Sequence, residues 1–333
     1  MVDFALFLPP EPNRMWALGP QMGVHYAVTG LPHHNPGATG RAEGDARPWD
    51  FLPLLHLQGQ FRAAGYEIAV IESSPPMERI RLGLPGRDEE IEWFCTMLRS
   101  LGALGIPVVC WNFMAGFGWQ RTSLTTPTRG GALATSYSHA PMIAAPPVPE
   151  AISEDTLWEN LAYFLRAVVP VAEEAQVKLA LHPDDPPLSP IRGMGRIMRS
   201  VEAFDRALDL VPSPYHGITY CQGNFALMGA NHAEAVPHFA ARGALHFVHF
   251  RDVRGDVTDF AETFHDDGPT DMLAAMRVYH TAGFGGVMRC DHAPVMAGEA
   301  NDHPGYETLG RIFAIGYMTG LREAVRAEGV AQE

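Results

Sequence analysis

The chain has 333 residues, of which 47% are apolar and 19% charged, with a formal net charge of −14. That composition suits a soluble globular protein with a full core, and the negative balance argues against a nucleic-acid partner, which needs a basic face. Four scattered cysteines without a CxxC pair exclude a disulfide scaffold, and no apolar run reaches the roughly 18 residues of a membrane span.

In chain order, Met1–Pro12 carries an apolar patch but lacks the basic region of a signal peptide, so a cytoplasmic location is expected. Strand-like and helix-like segments then alternate. The predicted strands are Met15–Leu18, Val24–Thr29, Glu67–Glu72, Pro107–Asn112, Lys178–His182, His216–Cys221, Ala244–His249 and Gly286–Asp291. Several are nearly continuous in apolar residues, as strands covered by helices are. Helices are predicted over Asp50–Ala64, Asp88–Gly102, Leu157–Ala175, Gly193–Leu210, Ala233–Arg242, Thr270–Ala282 and Tyr306–Glu328. Ser153 offers an N-cap to the third, Pro170 is expected to kink or divide it, and Gly283 ends the sixth. Two places break the rhythm. Gly19–Gly23 leaves no room for a helix between the first two predicted strands. Thr122–Pro149, rich in Thr, Gly, Ala and Pro, reads as a long loop acting as a lid or partner contact. With no linker, residues 1–333 are expected to form one α/β domain, a (β/α)8 TIM barrel with a shortened first βα unit.

Four of the predicted strands end in a possible metal ligand: His182, Cys221, His249 and Asp291. Strand C-termini of a parallel barrel converge on one rim, so these four are expected to meet around one ion. Imidazole, thiolate and carboxylate suit a divalent transition ion. A closed Zn²⁺ site is possible, while Mn²⁺ or Fe²⁺ would keep positions open for substrate oxygens. Cys95, Cys110 and Cys290 read as buried small hydrophobes. Around the rim, Arg251 and Arg121 are candidate contacts for a carboxylate substrate, with Asn112 grouped beside them. His292 is a candidate acid or base next to a ligand, Tyr306 a candidate proton donor, and Asp184 and Asp185 candidate supports for the ligands. No GxGxxG, P-loop, GxSxG or HExxH motif is present.

At these residues the chain resembles the mannonate dehydratase family. The segments that carry the likeness include Val70-Ile-Glu-Ser-Ser-Pro-Pro76, Cys110-Trp-Asn-Phe-Met114, Trp119-Gln-Arg-Thr122, Leu181-His-Pro-Asp-Asp-Pro-Pro187, Thr219-Tyr-Cys-Gln-Gly223, Val248-His-Phe-Arg251, Arg289-Cys-Asp-His292 and Pro304-Gly-Tyr306. They run in the family's order from about residue 66 to 311. The resemblance implies a xylose-isomerase-like TIM barrel that converts D-mannonate to 2-keto-3-deoxy-D-gluconate and water. It also implies Fe²⁺ or Mn²⁺ on His182, Cys221, His249 and Asp291, acid/base roles for His292 and Tyr306, and homo-oligomers. A sugar isomerase or epimerase, or a metal-binding paralogue without activity, are the alternatives. Against the family pattern, Gly19–Gly23 leaves no room for the helix between the first two strands, and a helical insertion shrinks to roughly Leu124–Pro149.

Overall fold

The computed structural model describes residues 2–32 and 47–330. Eight parallel strands close into a barrel. They are β1 (Asp3–Phe7), β2 (Tyr26–Thr29), β3 (Glu67–Glu72), β4 (Val108–Trp111), β7 (Lys178–Leu181), β8 (His216–Cys221), β9 (Leu245–Phe250) and β12 (Val287–Cys290). Around the barrel they run β1, β12, β9, β8, β7, β4, β3, β2, and β2 returns to β1. Four more strands, β5 (Ser123–Pro127), β6 (Leu133–Ser138), β10 (Val253–Asp256) and β11 (Asp259–Glu262), form a separate antiparallel sheet in the order β10, β11, β6, β5.

Seven of the eight predicted strands lie in the barrel; the first does not. Met15–Leu18 belongs to helix α1 (Arg14–Gln21), and the true first strand is the apolar patch at Asp3–Phe7. Asn13 caps α1 by accepting a hydrogen bond from the Met15 N–H at 3.0 Å. The helix packs its Trp16 ring 4.0 Å from that of Phe61, and the Tyr66 hydroxyl donates to the Trp16 carbonyl at 2.8 Å. Gly19 permits that approach, because a Cβ there would overlap the Tyr66 hydroxyl. The first βα unit is therefore short, with an eight-residue helix where none was expected.

The remaining helices, α2 to α11, are Phe51–Ala63, Glu78–Leu82, Arg87–Leu104, His139–Ala144, Glu154–Ala175, Val201–Leu210, Gln222–Leu227, His232–Ala241, Met272–Thr281 and Thr308–Val330. Ser153 caps α6 (Glu154–Ala175) as expected, and that helix runs through Pro170 undivided. Two other expectations fail. Residues 193–200 are irregular, and helix α7 starts only at Val201, where the Ser200 hydroxyl accepts from Ala203 N–H. The Thr122–Pro149 segment is not a plain loop: it supplies β5, β6 and α5, and β6 pairs with β11 from far along the chain. A bridge from Leu133 to Val295 ties this sheet to the segment after β12, at the C-terminal rim.

Candidate active site

The C-terminal ends of the barrel strands enclose a pocket of about 270 Å³, lined among others by Glu72, Cys110, Asn112, Trp119, His182, Asp185, Arg289, Asp291, His292 and Tyr306. Glu72, Cys221, His182 and Asp291 end or directly follow an apolar barrel strand, so these polar groups start where the core ends. Ligand atoms of His182, Cys221 and His249 all lie within 4.8 Å of one another. Asp291 stands beside two of them, its Oδ2 3.7 Å from the Cys221 sulfur and 3.6 Å from His249 Nδ1. The four strand-end residues are thus brought together.

Their chemistry fits a divalent cation. His182 Nδ1 lies 2.7 Å from the Pro183 carbonyl, which fixes that nitrogen as the donor and leaves Nε2 as a lone-pair ligand. His249 is buried, and its Nε2 has no hydrogen-bond partner among the described residues. Burial raises the Cys221 thiol, but the Arg251 guanidinium, with the His182 and His249 rings beside the sulfur, brings it down to about 6, so thiolate is favoured near neutral pH. Burial and Arg289 oppose a proton on His249, yet Glu72 and Asp291 hold it well above the usual imidazole value, which marks a point that favours positive charge. A second grouping, Glu72, Cys110 and His249, also lies within 4.8 Å. It is the poorer nest. Glu72 is engaged by Arg289 at 2.7 and 2.9 Å, and burial pushes the Cys110 thiol up.

Charge balance agrees. Four carboxylates (Glu72, Asp185, Glu262, Asp291) face three guanidiniums (Arg121, Arg251, Arg289) in and directly behind the pocket wall. With the imidazoles neutral, as metal-bound imidazoles are, the Cys221 thiolate adds a second uncompensated negative charge, the amount a divalent cation neutralises. The carboxylates stay ionised. Against the upward push of burial, Arg289 holds Glu72 at about 2, Arg121 and Arg251 hold Asp185 low, and Arg289 with His292 holds Asp291 well below the usual range.

Two expected substrate contacts lie elsewhere. Arg251 is fully buried: its Nη2 binds Asp185 at 3.1 Å and Asn224 at 3.0 Å, while its Nη1 lies 3.2 Å from Asp291 and 3.3 Å from Glu262. Arg121 has no exposed side-chain surface and bridges Asp185 (2.6 Å) and Glu262 (2.5 Å), with its guanidinium over Trp119 and Phe260. Neither arginine lines the pocket, and the terminal nitrogens of both are engaged by carboxylates. Asn112 does line the pocket, but its Oδ1 accepts from Arg81 and the Met114 N–H, so any substrate contact falls to Nδ2. Asp185 holds the two arginines, and Asp184 accepts from Arg196 and the Met198 N–H. Tyr306 donates its hydroxyl to Asp291 Oδ1 at 3.0 Å, and burial holds its phenol well above the usual value. The His292 ring stands edge-on to Tyr306 at 5.1 Å and 5.0 Å from Trp119.

Sequence reasoning missed Glu72, Arg289 and Glu262. Glu72 closes β3 by the same strand-end rule that picked out the four candidate ligands, so its signal was present. Arg289 lies inside β12 with no strand-end mark. Glu262 comes from β11, which has no counterpart in the barrel pattern.

The D-mannonate dehydratase (UxuA) family model matches residues 22–148 and 146–332. The mannonate dehydratase of Streptococcus pneumoniae (strain 70585) is 37% identical over 310 residues, which cover 84% of each chain. That of Thermotoga maritima is 36% identical over 317 residues, 83% of this chain and 86% of the relative. The chain belongs to the mannonate dehydratase family. The crystal structure of mannonate dehydratase from Streptococcus suis serotype 2 superposes with a TM-score of 0.89 at 34% identity, covering 98% of this chain and 95% of that one. An L-ribulose 3-epimerase, at 13% identity and a TM-score of 0.61, shares the barrel fold alone. Among the described residues no helix is long and apolar enough to cross a membrane. Family membership thus rests on the sequence and the fold.

Proposed function

We propose that this protein dehydrates D-mannonate to 2-keto-3-deoxy-D-gluconate and water, with Mn²⁺ or Fe²⁺ held by His182, Cys221, His249 and Asp291. The observation that carries this reading is one pocket in which His182 and Asp291, grouped with the buried Cys221 and His249, adjoin a neutral phenol and an imidazole. The ion supplies positive charge where substrate oxygens become negative. His292 and Tyr306 carry the two proton transfers, removal of the C2 proton and protonation of the departing C3 hydroxyl. Asn112 contacts the sugar through Nδ2, whereas Arg251 and Arg121 hold the carboxylates behind the wall rather than the substrate. We read residues 1–333 as one domain that acts as a homo-oligomer. A reducing cytoplasm suits its four buried, unpaired cysteines.

The test is to load purified protein with Mn²⁺, add D-mannonate and assay for the 2-keto-3-deoxy acid. Loss of one water per substrate is expected. Solvent deuterium entering C2 without water loss points to an epimerase instead, and no reaction by metal-loaded protein overturns the proposal.

A further inference from the structure

We infer that the pocket at the opposite, N-terminal mouth of the barrel is a second binding site, which takes a small monocarboxylate with an apolar body on Lys178 and a proton on His246. The pocket encloses about 400 Å³. Its walls include the first residues of six barrel strands: Asp3 on β1, Tyr26 on β2, Glu67 on β3, Val108 on β4, Lys178 on β7 and Val287 on β12. The shortest of these strands has four residues, so at about 3.3 Å each the two mouths stand on the order of 10 Å apart along the barrel.

The chain carries −14 overall, yet this mouth has a cation to spare. Glu67 is paired with Arg62 at 3.2 Å, and Asp3 interacts with the Arg322 guanidinium. Lys178 is the one lysine of the sequence, and its ammonium has no hydrogen bond or ion pair among the described residues. One surplus positive charge suits a monoanion. A dianion such as phosphate would face Asp3 and Glu67 with no further cation to meet it. Ile68, Ala69, Val108 and Val287 give an apolar wall for the ligand's body, and the volume is that of a small-molecule site.

A buried imidazole is turned to the same pocket. Ile218 of β8 pairs with Leu245 but Thr219 pairs with Phe247, so His246 is an extra residue in β9, a bulge that re-aims its side chain. The ring crosses Gly217, where a Cβ would stand 2.5 Å from Nδ1. His246 is 3% exposed and lines the pocket. Its Nδ1 lies 3.0 Å from the Leu179 carbonyl and its Nε2 3.2 Å from the Gly243 carbonyl. A neutral imidazole has one N–H for these two acceptors, and a second proton would satisfy both. Burial keeps that proton off and holds the ring at about 4, with Lys178 and His216 adding to the effect. Asp3, Glu67 and the Tyr26 phenol are the other titratable groups around the pocket; β4 and β12 bring none. A carboxylate on Lys178 cancels that repulsion and sets a negative charge near the ring. The ring's value is then higher with ligand than without, so binding takes up a proton and strengthens as pH falls toward about 4.

The single lysine makes the test local. Protein grown on ε-¹³C-lysine and loaded with Zn²⁺, a diamagnetic ion, shows one ε-carbon signal, identified by its loss in Lys178→Met. Benzoate is the probe, and benzoate bound at the metal does not enter this signal. Titration should move it along a saturating curve with a midpoint of roughly 1 mM. Acetate, which lacks the apolar body, and phosphate, which carries a second charge, should bind at least about tenfold more weakly. The benzoate midpoint should be at least about threefold lower at pH 5.5 than at pH 7.5, and that ratio should fall to near one in His246→Gln. An unmoved signal, or equal responses to benzoate, acetate and phosphate, overturns the site. A ratio near one in the unsubstituted protein, which needs no variant, overturns proton uptake by His246, as does an unchanged ratio in His246→Gln.

Discussion

Replacing Arg251 by methionine separates two roles for this residue, since a contact to the substrate carboxylate and a buried ionic hub respond differently. Arg251 lies 3.1 Å from Asp185, 3.2 Å from Asp291 and 3.3 Å from Glu262, with no exposed surface. Removing one partner of a buried ionic group costs about 3–5 kcal/mol, because charge is left uncompensated. Here each carboxylate retains another guanidinium: Arg121 binds Asp185 and Glu262, and Arg289 binds Asp291. The lower end, about 3 kcal/mol, is therefore expected. At about 2.1 cal/mol/K of unfolding entropy per residue, this chain's Tm should fall by roughly 4 °C. A second effect follows from Cys221. Arg251 is the main influence lowering its thiol, so without Arg251 burial raises the thiol and metal is held less tightly at neutral pH. Urea unfolding, metal analysis and steady-state kinetics on re-loaded protein read all three. Lower stability and lower metal retention with KM changed less than about threefold agree with a hub. A tenfold rise in KM with stability and metal content intact refutes the reasoning and returns Arg251 to the substrate.

Gly223 lets Arg251 pass: a Cβ there would sit 2.5 Å from Arg251 Nε, so Gly223→Ala should cost about 1–3 kcal/mol in denaturant unfolding, and an unchanged midpoint counts against that packing. His182→Ala should reduce bound Mn²⁺ at least tenfold by metal analysis with the fold retained by circular dichroism; full metal content excludes His182 as a ligand. In the unsubstituted protein, chelation should lower Tm and added Mn²⁺ restore it, by about 2.7 kcal/mol at a hundredfold excess over Kd. Burial holds His246 and His265 at about 4 against the ordinary 6.5, outweighing the carbonyls beside their rings. The unfolded chain therefore binds more protons than the folded one below pH 6.5. Stability should fall as pH drops from about 6.5 to about 4, by up to about 3 kcal/mol for each histidine, and be independent of them above that window. Urea midpoints that stay flat from pH 6.5 to 4.5 contradict this.

That His182, Cys221, His249 and Asp291 meet was legible because the rule that gathers them is local: an apolar run ends, a polar donor follows, and a parallel barrel brings such ends together. The first strand was not. Met15–Leu18 and Asp3–Phe7 are both short apolar runs, and what decides between them is non-local. Asp3–Phe7 pairs with both β2 and β12 and so closes the barrel, while Asn13 starts a helix at Arg14. The second sheet was hidden for the same reason. Ser123-Leu-Thr-Thr-Pro127 alone resembles a loop, and its sheet exists only because β6 meets β11 from more than a hundred residues away. With it went Glu262, which Arg121 reaches across 141 positions of sequence. Arg251 directly follows β9, as its spacing implied, while its burial among carboxylates was not legible, since spacing tells which side chains share an edge of the barrel but not what covers them.

That difference between first contacts and their supports explains the density of buried charge. Ion pairs taken out of water seldom stabilise a fold more than well-packed apolar groups of equal size, so seven ionised groups around one pocket are poorly explained by stability. Their arrangement is better explained by what it fixes. Arg289 and Arg251 hold the two oxygens of Asp291, Arg251 lowers the Cys221 thiol, and Arg121 and Asp185 fasten the outer sheet to the barrel through Glu262. Asp291, Cys221 and His292 are thus each met by a charged group from another strand or loop. A divalent ion would complete the charge balance of such a cluster, and its loss would leave like charges facing one another at the rim. Metal binding and the rigidity of the site should therefore rise and fall together, so hydrogen exchange at β11 and at the segment after β12 should slow when Mn²⁺ is added, well beyond the ligands themselves.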